Sequence, residues 1–433
     1  MRALAFLLLA SPALAEMPAP VTDADYTALN MAEVRLGRLL FYDPILSGNR
    51  NIACATCHHP RFGTSDGLSL GLGEGATGLG PDRRIGTDNI PEQRIPRNAP
   101  ALFNLGALEF TRLFHDGRIE ADPTRPTGIR TPMDDEMVAG FASVLSAQTM
   151  FPVLSSDEMA GHYSENDVAK AVRSGLITGP GGAWNIIAAR VAAIPDYQAQ
   201  FGSVSTEIAG GRAIDFTDIS DAIAAFIAHE WRSDASPFDA FLRGTAPLPP
   251  EAAAGAALFY GEAGCATCHS GPFQTDQGFH AMAEPQLGPG KGERFESHSR
   301  DEGRFRVTGR AEDLYAFRTP SLRNVTETGP WGHAGAYTDL GAFLAGHGQP
   351  DALASHDRSA LLPLLPDTKP DWVILDSPEE TAAIAAAATA TRKLSPAEIG
   401  SILAFLGSLT DPVALAGRLG IPDALPSGLP VDR

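Results

Sequence analysis

Apolar residues recur at helical spacing along much of the chain, whereas the strict alternation typical of strands is sparse. The first helical stretch runs from Met31 to Tyr42, and Asp43-Pro44 ends it. A further helix opens at Ser395, whose side chain and that of Glu398 form a predicted capping box. This helix spans residues 396–409. The other predicted helices are 137–149, 166–174, 183–193, 217–229, 251–260 and 379–391. The pattern predicts a mainly α fold.

Two stretches lack this periodicity. Residues 63–97 are rich in Gly, Pro and Asp and predict a long irregular segment, which in a compact domain usually serves function. Residues 233–250 are rich in Pro, Gly and Ala, and we place a domain boundary there, between residues 240 and 241. A chain of 433 residues is long enough for two or three domains.

One pentad, Cys-Ala-Thr-Cys-His, occurs at residues 54–58 and again at 265–269. In a C-x-x-C-H element the thiols attach a haem and the histidine binds its iron. A disulfide, a zinc knuckle and a redox dithiol are alternatives, but a zinc site would not need histidine directly after the second cysteine in both copies. The predicted haem-binding residues are Cys54, Cys57, His58, Cys265, Cys268 and His269.

The segments around the pentads repeat as well. Leu-Phe-Tyr precedes each pentad, at residues 40–42 and 258–260. Pro, Phe, Thr, Asp and Gly follow each pentad in the same order. We therefore expect two cytochrome c-like haem domains with long irregular loops and few strands, residues 16–240 and 241–433, each carrying one covalently bound haem c.

The start of the chain has the charged, apolar and small-residue regions of a secretory signal, so we expect a signal peptide, residues 1–15, and a periplasmic protein. No later segment approaches transmembrane length, and we expect no transmembrane segment. A net charge of −19 argues against nucleic acid as a partner. The acidic surface either favours encounter with a basic electron carrier or simply serves solubility.

Several segments carry a family resemblance: residues 36–43, both pentads, and residues 97–100, 114–118, 148–159 and 319–335. With these segments the sequence resembles the bacterial dihaem cytochrome c peroxidases and their relative MauG over nearly all of the mature chain. The resemblance implies that hydrogen peroxide reacts at the N-terminal haem, with electrons arriving through the C-terminal haem from a small electron-donor protein such as a c-type cytochrome. A MauG-like enzyme that oxidises residues of a partner protein and a non-catalytic electron-transfer cytochrome are the alternatives. A homodimer is an open alternative to a monomer.

The resemblance also implies a distal glutamine and, ten residues later, a distal glutamate at the first haem. The matching register gives Gln148, Pro152 and Glu158. A carboxylate there can take a proton from peroxide and deliver it to the departing oxygen, while an amide orients the peroxide. Glu136 superficially copies the motif, but it lacks the upstream glutamine and proline, so we prefer Glu158.

Many of these peroxidases resemble one another in a histidine that blocks the first haem. It would fall between Thr64 and Arg97, where this chain has no histidine. His59 adjoins the proximal ligand and is not expected to reach the opposite face. The first haem is therefore expected to be open.

At the second haem, the resemblance implies a sixth ligand fourteen residues after His333, and that position is His347. His356 is the alternative ligand, and an exposed histidine without a role is the alternative for His347. Histidine is a competent haem ligand and lacks the potential-raising thioether of methionine.

Two further features of the family have counterparts here. His115 stands where the family usually has a tryptophan between the haems, and it is expected to serve as a polar bridge. The family's calcium site uses one Asn side chain and two carbonyls, which correspond to Asn98, Thr328 and Pro330. Such oxygen ligands suit calcium. A loop-capping role is the alternative for Asn98.

Overall fold

Helices dominate the regular structure and the strands are two or three residues long, which confirms the mainly α prediction. The structure, a computed structural model, describes residues 17–87, 89–291, 296, 298–366, 368 and 370–433. The predicted signal peptide lies outside the described residues. No helix in the described ranges is both long enough and apolar enough to cross a membrane.

The bounds of the elements are as follows. The α-helices of the first half are α1 Met31–Tyr42, α2 Cys54–Cys57, α3 Val144–Thr149, α4 Asp167–Arg173, α5 Ala183–Ala192, α6 Pro195–Val204, α7 Thr206–Ala209 and α8 Phe216–Glu230. Those of the second half are α9 Pro237–Leu242, α10 Pro250–Phe259, α11 Phe305–Thr308, α12 Leu340–Gly346, α13 Pro378–Ala387, α14 Pro396–Gly407 and α15 Pro412–Ala416. The strands are β1 Ala76–Thr77, β2 Arg84–Ile85, β3 Arg112–Leu113, β4 Ile119–Ala121, β5 Ile129–Arg130, β6 Phe279–His280 and β7 Phe317–Arg318. They pair antiparallel as β1-β2, β3-β4-β5 and β6-β7.

In each half, the helix that leads to a pentad crosses a second helix at a glycine. A Cβ added to Gly37 of α1 would lie 1.7 Å from the carbonyl oxygen of Ala222 in α8. A Cβ added to Gly255 of α10 would lie 1.9 Å from the carbonyl oxygen of Ser401 in α14. Because glycine alone has no Cβ, it permits this close approach of two backbones.

The aromatic packing repeats around these crossings. The rings of Phe41 and Phe226 are 5.3 Å apart, and those of Phe259 and Phe405 are 5.0 Å apart. Phe41 and Phe259 each meet the tyrosine that follows edge-on, at 5.3 Å and 5.1 Å. The repeat in the sequence is therefore a repeat in the packing of the two halves.

Other helices differ from their predicted extents. The predicted helix 137–149 begins only at Val144, because Gly140 has a positive φ of 112° and Ser143 caps the helix through its side chain. In the segment 233–250, Pro237 and the capping-box residues Ser236 and Asp239 start α9. This helix runs across the boundary predicted between residues 240 and 241, which stays a prediction.

Candidate functional site

The first pentad forms the short helix α2, and His58 follows it directly. The Nδ1 atom of His58 lies 3.0 Å from the carbonyl oxygen of Thr64. A carbonyl only accepts hydrogen bonds, so Nδ1 carries the proton and Nε2 keeps its lone pair. Burial lowers the pKa of His58, which holds the ring neutral. A neutral, oriented imidazole of this kind is what ligation of iron requires.

The second pentad repeats this geometry. The Nδ1 atom of His269 lies 3.0 Å from the carbonyl oxygen of Gln274, and burial lowers the pKa of His269 to about 4. Thr64 and Gln274 both have positive φ values, 63° and 49°, which are uncommon for residues other than glycine. The same backbone turn thus orients both histidines.

The four cysteines are free thiols, which speaks against the disulfide alternative. Burial raises the pKa of Cys54 and Cys57 to about 12 and that of Cys265 to about 11. Zinc requires thiolates, and the first pentad belongs to no group of three metal-ligating side chains in the described part of the chain. In the second pentad, Cys268 does lie in such a group, with Asp276 and His280. The first pentad therefore fits thioether attachment better than a zinc site, and the repeated histidine geometry extends this interpretation to the second pentad.

The three residues predicted on the far side of the first haem lie on consecutive short elements. Gln148 is in α3, Pro152 starts a 3₁₀ turn, and Glu158 lies in a single π-helical turn, Ser156–Ala160. Such turns often mark functional sites. The side-chain oxygen of Gln148 is buried and has no hydrogen-bond partner among the described residues. An orphaned amide of this kind is available to a ligand.

Glu158 lies close enough to the first pentad for its charge to affect the pKa of the Cys57 thiol. Burial raises the pKa of Glu158, and the positive charges of Lys291 and Arg118 partly oppose this. Glu136 is exposed on a separate 3₁₀ turn. The position of Glu158 therefore supports its preference over Glu136, and Lys291 is a neighbour that sequence reasoning did not single out.

His115 joins the two halves through a shared carboxylate. Its Nε2 atom lies 2.8 Å from Oδ2 of Asp301, and Nε2 of His333 lies 3.2 Å from the same oxygen. Burial alone would raise the pKa of Asp301, but the two histidines hold it well below its ordinary value. The Arg97 guanidinium donates to Nδ1 of His333, and the ring of Phe317 stacks on His333 at 3.7 Å. His115 thus belongs to a buried polar bridge.

His347 directly follows α12, and its Nδ1 atom lies 3.0 Å from Oε1 of Glu284. The pKa of His269 is lowered chiefly by burial and next by the charge of His347, so the two histidines are near each other. His356 instead meets the ring of Tyr337 edge-on at 4.7 Å. The influence of His347 on His269 favours His347 as the sixth ligand, whereas the buried Nε2 of His356 has no hydrogen-bond partner among the described residues and keeps His356 as the alternative. The choice of sixth ligand stays a prediction.

Residues 31–247 match the family described as Di-haem cytochrome c peroxidase. The chain belongs to this family. Two c-type haems, a peroxide substrate and a cytochrome electron donor are what the family implies, and the chain is an oxidoreductase of the cytochrome c peroxidase type.

Individual relatives resemble the chain over most of its length. The methylamine utilization protein MauG of Methylorubrum extorquens is 29% identical over 333 residues, which are 76% of this chain and 71% of that protein. Cytochrome c551 peroxidase of Pseudomonas aeruginosa is 27% identical over 325 residues, 75% of this chain and 74% of that protein. The solved structure of the diheme peroxidase BthA from Burkholderia thailandensis is 20% identical, with a TM-score of 0.58 and coverage of 96% of this chain and 94% of that chain. This structural likeness supports the fold.

Two deep arginines fit the anionic propionates that a haem carries. Burial lowers the pKa of Arg97 and of Arg318 to about 10. Arg97 bonds to His333, and Arg318 donates to the carbonyl oxygen of Phe114 at 3.1 Å. Neither forms a salt bridge to a carboxylate within the described ranges, although buried charges are rarely left unpaired. Arg318 carries no local sequence signal and was missed by sequence reasoning.

The predicted calcium ligands are partly assembled. The amide nitrogen of Asn98 donates to the carbonyl oxygen of Pro330 at 3.1 Å, so these residues meet across the two halves. The hydroxyl of Thr328 donates to the carbonyl oxygen of Val325 at 3.2 Å. This hydrogen bond uses the Thr328 side chain and not its carbonyl oxygen, which is the predicted ligand atom. A calcium ion would need the oxygen of the Asn98 amide, rather than its nitrogen, turned toward the ion. Calcium at this site stays a proposal.

Proposed function

We propose that the chain is a periplasmic peroxidase that reduces hydrogen peroxide to water at the haem of the first pentad. Electrons arrive through the haem of the second pentad from a small, basic electron-donor protein. The observation that carries this proposal is that the buried Glu158, whose pKa is raised, lies close enough to the first pentad for its charge to affect Cys57, while the buried amide oxygen of Gln148 on a neighbouring element has no partner among the described residues.

The chemistry divides between the haem and the side chains. Haem iron, when bound, supplies the binding and reduction of peroxide. Glu158, as a carboxylate, takes the proton from one peroxide oxygen and returns it to the other as that oxygen departs as water. The Gln148 amide orients the peroxide, and the cations Lys291 and Arg118 stabilise the ionised form of Glu158. Two electrons and two protons convert each peroxide into two waters.

Steady-state peroxide turnover with a panel of reduced c-type cytochromes tests the proposal. With its net charge of −19, the protein should oxidise basic cytochromes faster than acidic ones at low ionic strength. The difference should shrink as salt screens the charges. Peroxide consumption without oxidation of any cytochrome in the panel would contradict the proposal.

A MauG-like oxidation of a partner protein is the second candidate. The pairing of His347 with Glu284 favours it, because a histidine ligand with a carboxylate partner stabilises the oxidised haem more than a thioether does. In that case, peroxide-treated protein should retain its oxidising equivalents when reduced cytochromes are present. Adding the partner protein should discharge them, with oxidised residues found in the partner by mass spectrometry.

The fully ferric protein should contain one high-spin and one low-spin haem, as measured by electron paramagnetic resonance. His59 is not expected to block the first haem: its Nδ1 accepts from the backbone N–H of Arg61 at 3.2 Å, so the proton of the neutral ring is on Nε2, which then has no lone pair for iron. His162 is buried four residues beyond Glu158, and its Nε2 has no partner among the described residues. Two low-spin signals would contradict an open first haem, and loss of one of them in His162→Ala would identify the blocking residue.

A further inference from the structure

Glu284 links the predicted sixth ligand of the second haem to the loop that carries His333. Its Oε1 atom lies 3.0 Å from Nδ1 of His347, and its Oε2 atom accepts from the backbone N–H of His333 at 3.3 Å. The side chain of Glu284 is only 10% exposed. Because a carboxylate only accepts, Nδ1 of His347 carries the proton and Nε2 keeps the lone pair. Glu284 thereby selects the tautomer that can bind iron.

Backbone contacts hold this pair in place. The N–H of Gly348 donates to the carbonyl of Met282 at 3.1 Å, which fastens the segment of Glu284 beside His347. The hydroxyl of Thr391 donates to the carbonyl of His347 at 2.8 Å. Because hydrogen bonds hold both the backbone and the ring of His347, its side chain is already oriented for binding haem iron.

No Lys or Arg in the described part of the chain forms a salt bridge with Glu284; its ion-pair partner there is His347. The carboxylate charge therefore acts on the imidazole rather than being shared with a nearby guanidinium or ammonium group. A carboxylate that accepts from a ligating histidine raises the basicity of that histidine. A more basic ligand binds the ferric state more tightly than the ferrous state, since the ferric iron carries more positive charge.

We propose that Glu284 is a positioning residue for the second haem: it orients His347 and lowers the reduction potential of that haem. The inference rests on the proposed function, because it concerns the haem through which electrons arrive, and it requires His347 as the sixth ligand of that haem. A lower potential favours the oxidised haem, which suits the storage of oxidising equivalents more than rapid acceptance of electrons from a high-potential donor.

The test compares holoprotein variants by spectroelectrochemistry and by titration with imidazole. Glu284→Gln keeps the size and the acceptor oxygen but removes the charge. We expect the potential of the second haem to rise, and imidazole to displace His347 at about 10–100-fold lower concentration, the usual cost of losing such a partner. Glu284→Asp, which restores the charge, should return both values toward those of the unchanged protein and covers the case in which Glu284→Gln folds poorly.

Asp313→Asn is the matched control. Asp313 is a buried carboxylate in the same half, but it pairs with Thr308 and Arg310 instead of a ligating histidine. Its removal should leave the imidazole titration unchanged. One outcome would overturn the role of Glu284 but keep His347 as the ligand. In that outcome, Glu284→Gln has the wild-type reduction potential and imidazole titration, and His347→Gly has a high-spin second haem. A second haem that stays low-spin in His347→Gly would show that His347 is not the ligand and would overturn the inference. Cytochrome-dependent peroxide turnover tests the proposed function separately.

Discussion

Glu158→Gln should slow the reaction of the protein with hydrogen peroxide by about 10²–10⁴-fold, the usual contribution of a positioned acid–base group. The amide has nearly the size of the carboxyl group but cannot take a proton from peroxide. Both haem spectra should be retained, because Glu158 is not a predicted iron ligand. Stopped-flow mixing with peroxide, followed at the Soret band, measures the rate.

Glu136→Gln is the matched control, because it makes the same chemical change at a glutamate on an exposed turn. It should react at nearly the wild-type rate. A Glu158→Gln variant that reacts as fast as the wild type would remove Glu158 from the mechanism. A slow Glu136→Gln variant would show that the other acidic turn faces the first haem.

The pH dependence of the same reaction follows from the state of Glu158. Burial raises the pKa of this carboxyl group, so it becomes protonated at a higher pH than an exposed glutamate does. A protonated carboxyl group cannot accept the peroxide proton. The rate should therefore fall as the pH is lowered through the raised pKa, and this fall should be absent in Glu158→Gln.

His347→Gly should convert the second haem from low-spin to high-spin, because the substitution removes the predicted sixth ligand and supplies no replacement. His347→Met should keep the haem low-spin, raise its reduction potential and add the weak near-infrared band of methionine ligation. Electron paramagnetic resonance and redox titration measure these changes. An unchanged low-spin spectrum in both variants would transfer the assignment to His356, which His356→Gly would then test.

Several features of the structure follow from short segments of sequence. The capping box of Ser395 and Glu398 forms as predicted, with the N–H of Ser395 donating to Glu398 at 2.8 Å. Helix α1 begins and ends at the predicted residues. Caps, proline positions and apolar periodicity act within a few residues of the chain, so they can be recognised without knowledge of the fold.

Other local signals are ambiguous. The Pro-, Gly- and Ala-rich segment 233–250 predicts a domain boundary, and within it Pro237 stands at the first position of α9, where its missing N–H costs nothing. Phe238 then packs against Phe405 at 5.1 Å, far along the chain. Proline is compatible with both a domain boundary and a helix start, so the segment alone did not reveal α9, and the boundary stays a prediction.

The sequence by itself determined the chemistry of the two pentads, because the thiols and the histidine of each pentad lie within five residues. Only the tertiary structure brought Asp301 to His115 and Glu284 to His347, and it alone placed Arg318 deep beside the loop of Phe114. These partners are far apart in the chain, so no periodicity or spacing records them. Their contacts depend on how the two repeated halves pack against each other, which only the folded chain decides.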